Sequence, residues 1–514
     1  MKNTILKLLA LMLVLALSFS VVGCSLIFPG ETPTPDDGKG DGEEGGNEGG
    51  NEGGNEGGND PVDEPDDLLG ITDDTIWVGN TAGTTGALAT IGEPFNLGLQ
   101  AAFAAYNAQG GYNGKKIALK HYDDGGISGN SVTLLDKLIY EDEVFAIVGH
   151  FGSYAVDATL DTLKDEKVPM IYAAAGNNAL LNENATSLGD KGIFPVQPLN
   201  GTEGRMLVLR AFAPYDKGGL GATKVGVIAN SNEASQALLS GIKLEAKDSG
   251  LESKVVIQEV ASADYTAAVN ALKAAGCDTV ILTVIGDDFL TTLTTMADAN
   301  YACNVLTSYN NASTAVFNNA DTQILLPKYE KVFSTMAIYS QAWLDITSAE
   351  YVYSDPDSAL YGVYSILGLN NGGVGVAGFK PEYWEVANNI YNYVLTVDAG
   401  KAFAMSYDAY ALAGYIAGDL FCQAMEALEK SGKALSRANL VEVMESQEFQ
   451  VAMANKISFA NGMRAGVDSF ALTVMYDAYN LDASLGGGVK HTAASATIHT
   501  LTSMDEYRAL LAGK

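Results

Sequence analysis

Short apolar runs alternate with longer stretches of helical periodicity along most of this chain. The first run, TIWVGN, precedes a stretch in which Phe95, Leu99, Phe103 and Tyr106 recur at intervals of three and four residues. Further helical stretches separate the later runs KIALKHY, VFAIVG and VPMIYAAAG. Strands that alternate with helices of about 10 to 15 residues are typical of βαβ units, so the pattern predicts an α/β fold with a parallel sheet and right-handed crossovers.

The same alternation begins again after residue 200. The runs KVGVIAN, KVVIQEV, DTVILTVI and NVLTSY predict the strands of a second α/β body. The extended, proline-flanked segment 194–198 is expected to cross between the two bodies. From about 340 to 378 the pattern gives way to tyrosine, serine and glycine, which indicates an insertion. A long helix is predicted over 406–430, and a strand over FALTVMYDAY.

The first 70 residues have a different character. Two lysines precede an apolar run from Leu8 to Val22 that is too short for a comfortable membrane span, which predicts a secretory signal peptide over 1–24. The signal ends in VVGC, which resembles the lipobox of bacterial lipoproteins. This resemblance implies that Cys24 is lipidated, the alternative being an ordinary cleavage site. Residues 25–70, rich in glycine, asparagine and acid, are predicted to be a disordered tether.

Charge and composition exclude several classes of function. The formal net charge of −32 disfavours nucleic-acid partners, because phosphates are bound by Lys and Arg. Fourteen of the 62 acidic residues lie in the tether, so the charge says less about the folded part. None of the four histidines has a partner at the spacing of zinc ligands, and neither a metal nor another cofactor is predicted.

The sequence also carries no recognisable catalytic motif. No G-x-S-x-G elbow surrounds Ser153, and His150 lies three residues before it on the same turn, whereas a catalytic base arrives from another loop. Asp287 and Asp288 open a predicted helix, where acids stabilise the positive end of the helix dipole. We therefore expect no enzymatic activity.

Three cysteines remain beside Cys24. Cys277 and Cys303 each stand at the start of a predicted strand in successive units. They form a disulfide if those strands are neighbours, or they are two separate buried thiols.

The most informative corner is the Gly152-Ser153 step, which joins the strand VFAIVG to a helix. Ligands of open parallel sheets bind beyond the carboxyl ends of the strands, where helix N-termini present free N–H groups to anions. Ser153 either caps its own helix or binds a carboxylate. The turn Ala174-Ala175-Gly176, after the next strand, offers a second set of amides. Together the two loops predict one anion pocket.

These motifs resemble those of a known family, the extracytoplasmic solute-binding proteins of the branched-chain amino acid type (periplasmic binding fold type I), which feed ABC importers. The matching segments are GTTGALATIG, NAQGGYNGKKIALKHYDDGG, VFAIVGHFGS, VPMIYAAAGNNALL, IFPVQPLNGTEG and SYDAYALAGYIAGD. The resemblance implies two Rossmann-like lobes joined by a three-strand hinge, the Venus-flytrap arrangement. The expected N-terminal lobe comprises 71–195 and 336–462, and the C-terminal lobe 196–335 and 463–514.

The resemblance also implies roles for individual residues. Ser153 falls on the serine that binds the ligand's carboxylate, and Ala174, Ala175 and Gly176 fall on the loop that supplies backbone groups. The positions that would hold the ligand's ammonium depart from the family, and so do two positions that shape the rest of the pocket. Gly176 replaces a threonine, Tyr309 an acid, Ile285 a tyrosine, Ile91 an aromatic residue and Ala234 a tyrosine.

The expected function is therefore the capture of an amino acid or a related small carboxylate. The resemblance implies that the protein is anchored by Cys24 to the outer face of the cell membrane and delivers the ligand to an ABC permease and its ATPase. The alternative is an extracytoplasmic ligand sensor, in which the tyrosine-rich insertion, with Tyr351, Tyr353, Tyr361 and Tyr364, docks a signalling partner.

Overall fold

A computed structural model describes most of the chain that follows the tether. The described residues are 69–311 except 173, 182 and 183; the short pieces 338–342, 344, 347–348 and 378–379; 381–479 except 407, 455 and 461–464; and 491–513. The signal peptide, Cys24, the tether up to residue 68 and most of the insertion with its tyrosines lie outside the described residues. The predictions made for them stay predictions.

The first lobe is built from alternating strands and helices. In chain order its elements are β1 (Thr75–Ala82), α1 (Ala89–Ala108), β2 (Lys116–Asp123), α2 (Ser128–Tyr140), β3 (Ala146–Val148), α3 (Ser153–Asp165), β4 (Met170–Ile171), α4 (Leu188–Lys191) and β5 (Ile193–Phe194). The five strands pair in parallel in the order β2-β1-β3-β4-β5. β3 and β4 are wholly buried, as expected of central strands covered by helices on both faces.

The second lobe repeats this plan. Its elements begin with α5 (Asn200–Phe212), β6 (Val225–Asn230), α6 (Glu233–Asp248), β7 (Val255–Val260), α7 (Thr266–Ala275), β8 (Thr279–Leu282), α8 (Asp287–Asp298), β9 (Asn304–Thr307) and β10 (Ile338–Ala342). Five of its strands are parallel, and two late strands, β15 (Ser469–Tyr479) and β16 (His491–Ser503), extend the sheet in antiparallel fashion, giving the order β16-β15-β10-β9-β8-β6-β7.

The rest of the chain completes both lobes. It contains β11 (Thr347–Ser348), β12 (Gly378–Phe379), α9 (Pro381–Val397), α10 (Ala402–Met405), α11 (Ala409–Ser431), α12 (Arg437–Ser446), β13 (Glu448–Gln450), β14 (Lys456–Ser458), β15 (Ser469–Tyr479), β16 (His491–Ser503) and α13 (Met504–Leu511). The α/β class with parallel sheets is thus confirmed, and so is the long helix predicted over 406–430.

The return of the chain to the first lobe is fixed by the packing of α11 on α1. Asp408 caps α11 by accepting hydrogen bonds from the amides of Tyr410 and Ala411. A Cβ atom at Gly98 would lie 1.9 Å from the Ala411 carbonyl oxygen, and one at Gly414 would lie 1.9 Å from that of Phe95. Only glycine permits this approach of the two backbones, which seals one face of the first sheet.

The structure differs from the sequence prediction at two strands. β10 pairs with β9 and β15 in the second sheet, so the return to the first lobe comes after residue 342 and not at 336. β4 is only two residues long, because Tyr172 adopts a left-handed backbone conformation with φ of 57° and ends the strand. The open question about the cysteines is also answered, since Cys277 and Cys303 are separate, buried, free thiols.

Candidate ligand-binding site

The Gly152-Ser153 corner lies at the carboxyl edge of the first sheet, as predicted. Gly152 precedes α3 with a φ of 97°, which favours glycine, and Ser153 is the first helical residue. Ser153 is exposed. Its hydroxyl does not cap the helix and makes no hydrogen bond to another residue that the structure describes. The side chain of Ser153 therefore faces solvent.

The loop after β4 lies directly beside this corner. The Gly152 amide donates to the carbonyl oxygen of Ala174 at 3.2 Å, and the Ala174 amide donates to that of His150 at 2.9 Å. Ala174 and Ala175 are buried, and Gly176 is half-buried. The structure thus brings together the two loops from which the sequence predicted one anion pocket.

The buried carboxylate of Asp124 supports the Gly152-Ser153 corner through hydrogen bonds. Asp124, at the end of β2, is fully buried and accepts hydrogen bonds from the hydroxyls of Tyr154 at 2.7 Å, Thr81 at 2.9 Å and Ser131 at 2.8 Å. Burial and the hydrogen bond to Asp124 raise the pKa of Tyr154 above its ordinary value, so its phenol keeps its proton. Because Tyr154 is the neighbour of Ser153, this network fixes the first turn of α3.

His150 belongs to the same buried layer. Burial lowers the pKa of this imidazole to about 4, so the ring is neutral near pH 7. Its Nε2 lies 3.0 Å from the Thr159 hydroxyl, and its Nδ1 lies 3.4 Å from the Thr81 amide. The histidine therefore links α3 to β1.

An aromatic cluster supports the loop from the other side. The rings of Phe95 and Phe151 are 5.1 Å apart, and those of Phe95 and Tyr172 are 5.9 Å apart. Tyr172 is fully buried, and its amide donates to the Phe194 carbonyl at 3.0 Å. The left-handed conformation of Tyr172 costs about 1 to 3 kcal/mol and turns the chain sharply into the loop at 174–176.

The structure gives a physical reason for glycine at position 176. The Asn200 amide donates to the Gly176 carbonyl at 3.0 Å, and a Cβ atom at this position would lie only 3.1 Å from Asn200 Oδ1. A larger residue such as threonine would require the Asn200 side chain to move by a few tenths of an ångström. Gly176 therefore lies where the first lobe meets the start of the second.

Tyr309 is placed against the segment that crosses between the lobes. Its phenol oxygen accepts a hydrogen bond from Gln197 Nε2 at 3.2 Å and lies 3.4 Å from the Pro198 carbonyl oxygen. Its backbone amide donates to the carboxyl of Glu203 at 2.7 Å, and the Ser308 hydroxyl donates to the same group at 2.8 Å. Glu203 is fully buried, and this burial raises the pKa of its carboxyl to about 8.

The three remaining candidate residues lie in other parts of the two lobes. Ile285 is half-buried in the loop after β8, next to Gly286, whose amide donates to Asn311 Oδ1 at 3.2 Å. Ala234 is half-buried in the first turn of α6. Ile91 is only 6% exposed and packs in the apolar core of the first lobe. Roles for these three residues in ligand binding stay predictions.

Three acids at or beside the candidate site were not found from the sequence: Asp124, Asp157 and Glu203. Asp124 directly follows a strand, so its place at the carboxyl edge of the sheet was available as a signal. Glu203 shares the helical phase of buried apolar residues such as Leu207, which marks it as a buried acid on α5. Asp157 lies one turn after Ser153 on α3.

The described residues contain neither a cluster of metal-ligating side chains nor a helix that could span a membrane. They contain no group of three or more His, Cys, Asp or Glu side chains that could hold a metal ion. In this part of the chain, no helix has the length and apolar character that a membrane span requires.

Comparisons with known proteins agree with the fold. A family model described as periplasmic binding protein matches residues 75–476. The Leu/Ile/Val-binding protein homolog 2 of Brucella abortus is 31% identical over 182 residues, which are 34% of this chain and 48% of the relative. The leucine-, isoleucine-, valine-, threonine- and alanine-binding protein of Pseudomonas aeruginosa is 28% identical over 207 residues, 40% of this chain and 52% of the relative. The chain thus spans about half the length of the curated relatives it matches.

A solved structure extends the similarity to nearly the whole chain. The ABC transporter substrate-binding protein from Sphaerobacter thermophilus superposes with a TM-score of 0.55 at 18% identity, covering 84% of this chain and 98% of that one. At this level of identity the similarity establishes a shared fold.

Proposed function

This chain belongs to the periplasmic binding protein family, and from that membership we propose that it captures an amino acid or a related small carboxylate in the cleft between its two lobes. The relatives it matches are named as binding proteins for leucine, isoleucine and valine rather than as enzymes. Their names support the ligand class.

The observation that carries the proposal is the pairing of the Ser153 corner with the loop at 174–176. A helix N-terminus attracts anions, because its first amides have no acceptor within the helix and its dipole is positive there. Here that end belongs to α3, carries an exposed hydroxyl and lies beside a loop of small residues. A carboxylate is the small anion that fits this chemistry and the names of the relatives.

The same proposal includes the partners of the protein. It delivers its ligand to an ABC permease with its ATPase, and a lipid on Cys24 holds it at the outer face of the cell membrane. The resemblance of its sequence to lipoproteins of ABC importers supports both parts.

The test is a thermal-shift screen of the purified folded protein against amino acids, aliphatic and aromatic carboxylates, and amides. A ligand present at a hundred times its Kd adds about 2.7 kcal/mol to the free energy of unfolding, which a thermal scan detects readily. At least one compound with a carboxylate is expected to raise the melting temperature. If no compound does so, the proposed function is wrong.

The variant Ser153→Ala tests the site itself. Loss of a hydrogen bond to a charged group costs about 1.5 to 3 kcal/mol, so affinity for a carboxylate is expected to fall at least tenfold. Ser128→Ala is the matched control, because Ser128 is also an exposed first residue of a helix, α2, but follows the edge strand β2. Equal affinities of Ser153→Ala and the wild type would place the carboxylate elsewhere.

A further inference from the structure

A second polar cluster lies one helical turn from Ser153. Asp157 follows Ser153 by four residues on α3, so their side chains lie on the same face of the helix, about 5 to 6 Å apart between Cβ atoms. Asp157 is exposed. One of its carboxylate oxygens, Oδ1, accepts a hydrogen bond of 2.7 Å from Asn177 Nδ2. The carboxylate therefore stands between the anion corner and the end of the loop at 174–176.

Asn177 brings an unsatisfied acceptor to this cluster. Its side chain is only 7% exposed, and its Oδ1 atom is buried without a hydrogen-bond partner among the described residues. Because Nδ2 of the same amide points at Asp157, Oδ1 lies close to that carboxylate. A buried oxygen without a donor costs about 1 to 3 kcal/mol, so such atoms call for a ligand or water that donates to them.

The opposite lobe contributes a second carboxylate. Burial raises the pKa of Asp157 above its ordinary value, and the negative charge of Glu233 raises it further. Glu233 is exposed at the first position of α6. No ion pair joins Asp157 or Glu233 to a cation in the described part of the chain. Asp157 and Glu233, one on each lobe, thus have no cationic partner among the described residues.

We propose that Asp157, Asn177 and Glu233 bind the ammonium group of an α-amino acid whose carboxylate lies at Ser153. An ammonium group has three N–H donors and one positive charge, which match two carboxylates and one amide oxygen. The ammonium and carboxylate groups of an α-amino acid are bonded to the same carbon atom, and this short separation matches the one-turn spacing of Ser153 and Asp157. This inference rests on the proposed function, and it supplies an ammonium site where Tyr309 and Gly176 depart from the related proteins.

Because Asp157 and Glu233 lie on different lobes, their charges affect lobe closure. Without a cation, Asp157 and Glu233 repel each other across the cleft, and this repulsion opposes closure. An ammonium group between them replaces repulsion by two attractions. A ligand that carries the group therefore favours the closed arrangement more than a plain carboxylate does.

The experiment compares pairs of ligands that differ only in the amine: L-leucine with 4-methylpentanoate, L-alanine with propionate, and L-phenylalanine with 3-phenylpropionate. Affinities are measured by calorimetry on the wild type, Asp157→Asn, Glu233→Gln and the control Asp161→Asn, which removes the same charge one turn further along α3. The wild type is expected to prefer the amino acid in the pair that binds. Asp157→Asn and Glu233→Gln should each weaken the amino acid at least tenfold and leave the amine-free partner unchanged, while Asp161→Asn should behave as the wild type.

The possible failures are distinguishable. If the wild type binds an amine-free carboxylate in a manner that depends on Ser153 but shows no preference for the amine, the proposed function stands and the ammonium site is wrong. Equal losses for both members of a pair in Asp157→Asn also overturn the ammonium site. If no carboxylate binds the folded wild type, the proposed function fails first. Since Glu233 lies on the other lobe, its variant checks that a loss does not come from damage to α3.

Discussion

Among single residues, Glu203 gives the clearest prediction, which concerns how the stability of the protein depends on pH. Its carboxyl is fully buried on α5 and accepts hydrogen bonds from Ser308 and from the amide of Tyr309. Burial outweighs both hydrogen bonds and raises the pKa to about 8. The folded state therefore holds a proton that the unfolded chain, with a pKa of about 4.3, releases between those two values. The stability that Glu203 contributes is complete below about pH 4.3 and is lost as the pH rises toward 8.

We expect Glu203→Gln to remove this pH dependence, because a glutamine has the shape and the donor-acceptor pattern of a protonated glutamate. The free energy of unfolding of the wild type should fall relative to that of the variant between pH 5 and 8, by up to about 1.4 kcal/mol per pH unit. Urea unfolding of the wild type and the variant at several pH values measures this difference in the free energy of unfolding. Glu252→Gln, at an exposed glutamate of the same lobe, is the control. Parallel curves for wild type and Glu203→Gln would show that Glu203 is ionised throughout.

Only some residues of the candidate site were predictable from the sequence. Ser153 and the loop at 174–176 were predictable because each follows a buried strand, and strand ends meet at one edge of a parallel sheet. Asp157 was not, because the role that we propose for it depends on Asn177, twenty residues later, and on the charge of Glu233 in the other lobe. Such convergence is set by tertiary packing and leaves no periodic signal in the chain.

At the scale of elements, the C-terminal helix α13 is attached through one buried carboxylate. Glu245 on α6 is fully buried at its side chain and accepts hydrogen bonds from Arg508 on α13, at 2.8 and 3.1 Å, and from Arg205 on α5, at 2.7 Å. Burial would raise the pKa of Glu245, but the hydrogen bonds from Arg508, Arg205 and Ser249 outweigh it and lower the pKa to about 2. This stabilisation is present above about pH 4.3 and is lost as the pH falls toward 2.

We predict that Glu245→Gln destabilises the protein by about 2 to 4 kcal/mol at pH 7, because two arginines lose their buried counter-ion and keep only the more exposed Asp248 and Asp505. The difference from the wild type should shrink as the pH falls below 4, where the wild-type carboxylate is itself protonated. Chemical unfolding at pH 7 and pH 3 measures both effects. Asp505→Asn is the control, since Asp505 also pairs with Arg508 but its side chain is 86% exposed, and it should change stability by less than about 1 kcal/mol. Equal effects of the two variants would contradict the role of Glu245.

Whether a segment forms a helix or a strand was predictable where the hydrophobic periodicity was clear. Which strands pair with each other was harder to predict. The alternation gave β1 to β4, β6 to β9 and the helix α11, whereas β5 was predicted only as part of a crossing segment. It did not give β10 or its pairing with β15, because the segment IYSQA is short and contains no apolar run. It also overestimated β4, because the left-handed turn at Tyr172 follows from packing against Phe95 and not from a turn-forming residue.

At the scale of the whole molecule, the two lobes are joined by crossing segments that touch each other. After β5 the chain crosses through 195–199 to α5, and a later crossing passes through Gly466 toward β15. The Gly466 amide donates to the Pro195 carbonyl at 2.9 Å, which holds the two segments side by side. The family match at 75–476 begins at β1 and ends within β15, so it includes both crossings. β16 and α13 follow the match and complete the second lobe through contacts such as Arg508 with Glu245.

The variant Gly466→Ala tests whether these crossing segments act as a hinge. A Cβ atom there would lie 2.8 Å from Phe459 Cζ and 2.9 Å from the Pro195 carbonyl oxygen, so even alanine must displace one crossing segment from the other. We expect Gly466→Ala to lose about 1 to 3 kcal/mol of stability and to bind the ligand identified by the thermal-shift screen two- to tenfold more weakly, because closure then starts from a displaced hinge. Small-angle X-ray scattering with and without saturating ligand should show a smaller decrease in the radius of gyration than in the wild type. Gly129→Ala is the control, since a Cβ atom at Gly129 meets no atom within 4 Å. If Gly466→Ala closes on its ligand as fully and as tightly as the wild type, lobe movement does not depend on the contact between Pro195 and Gly466.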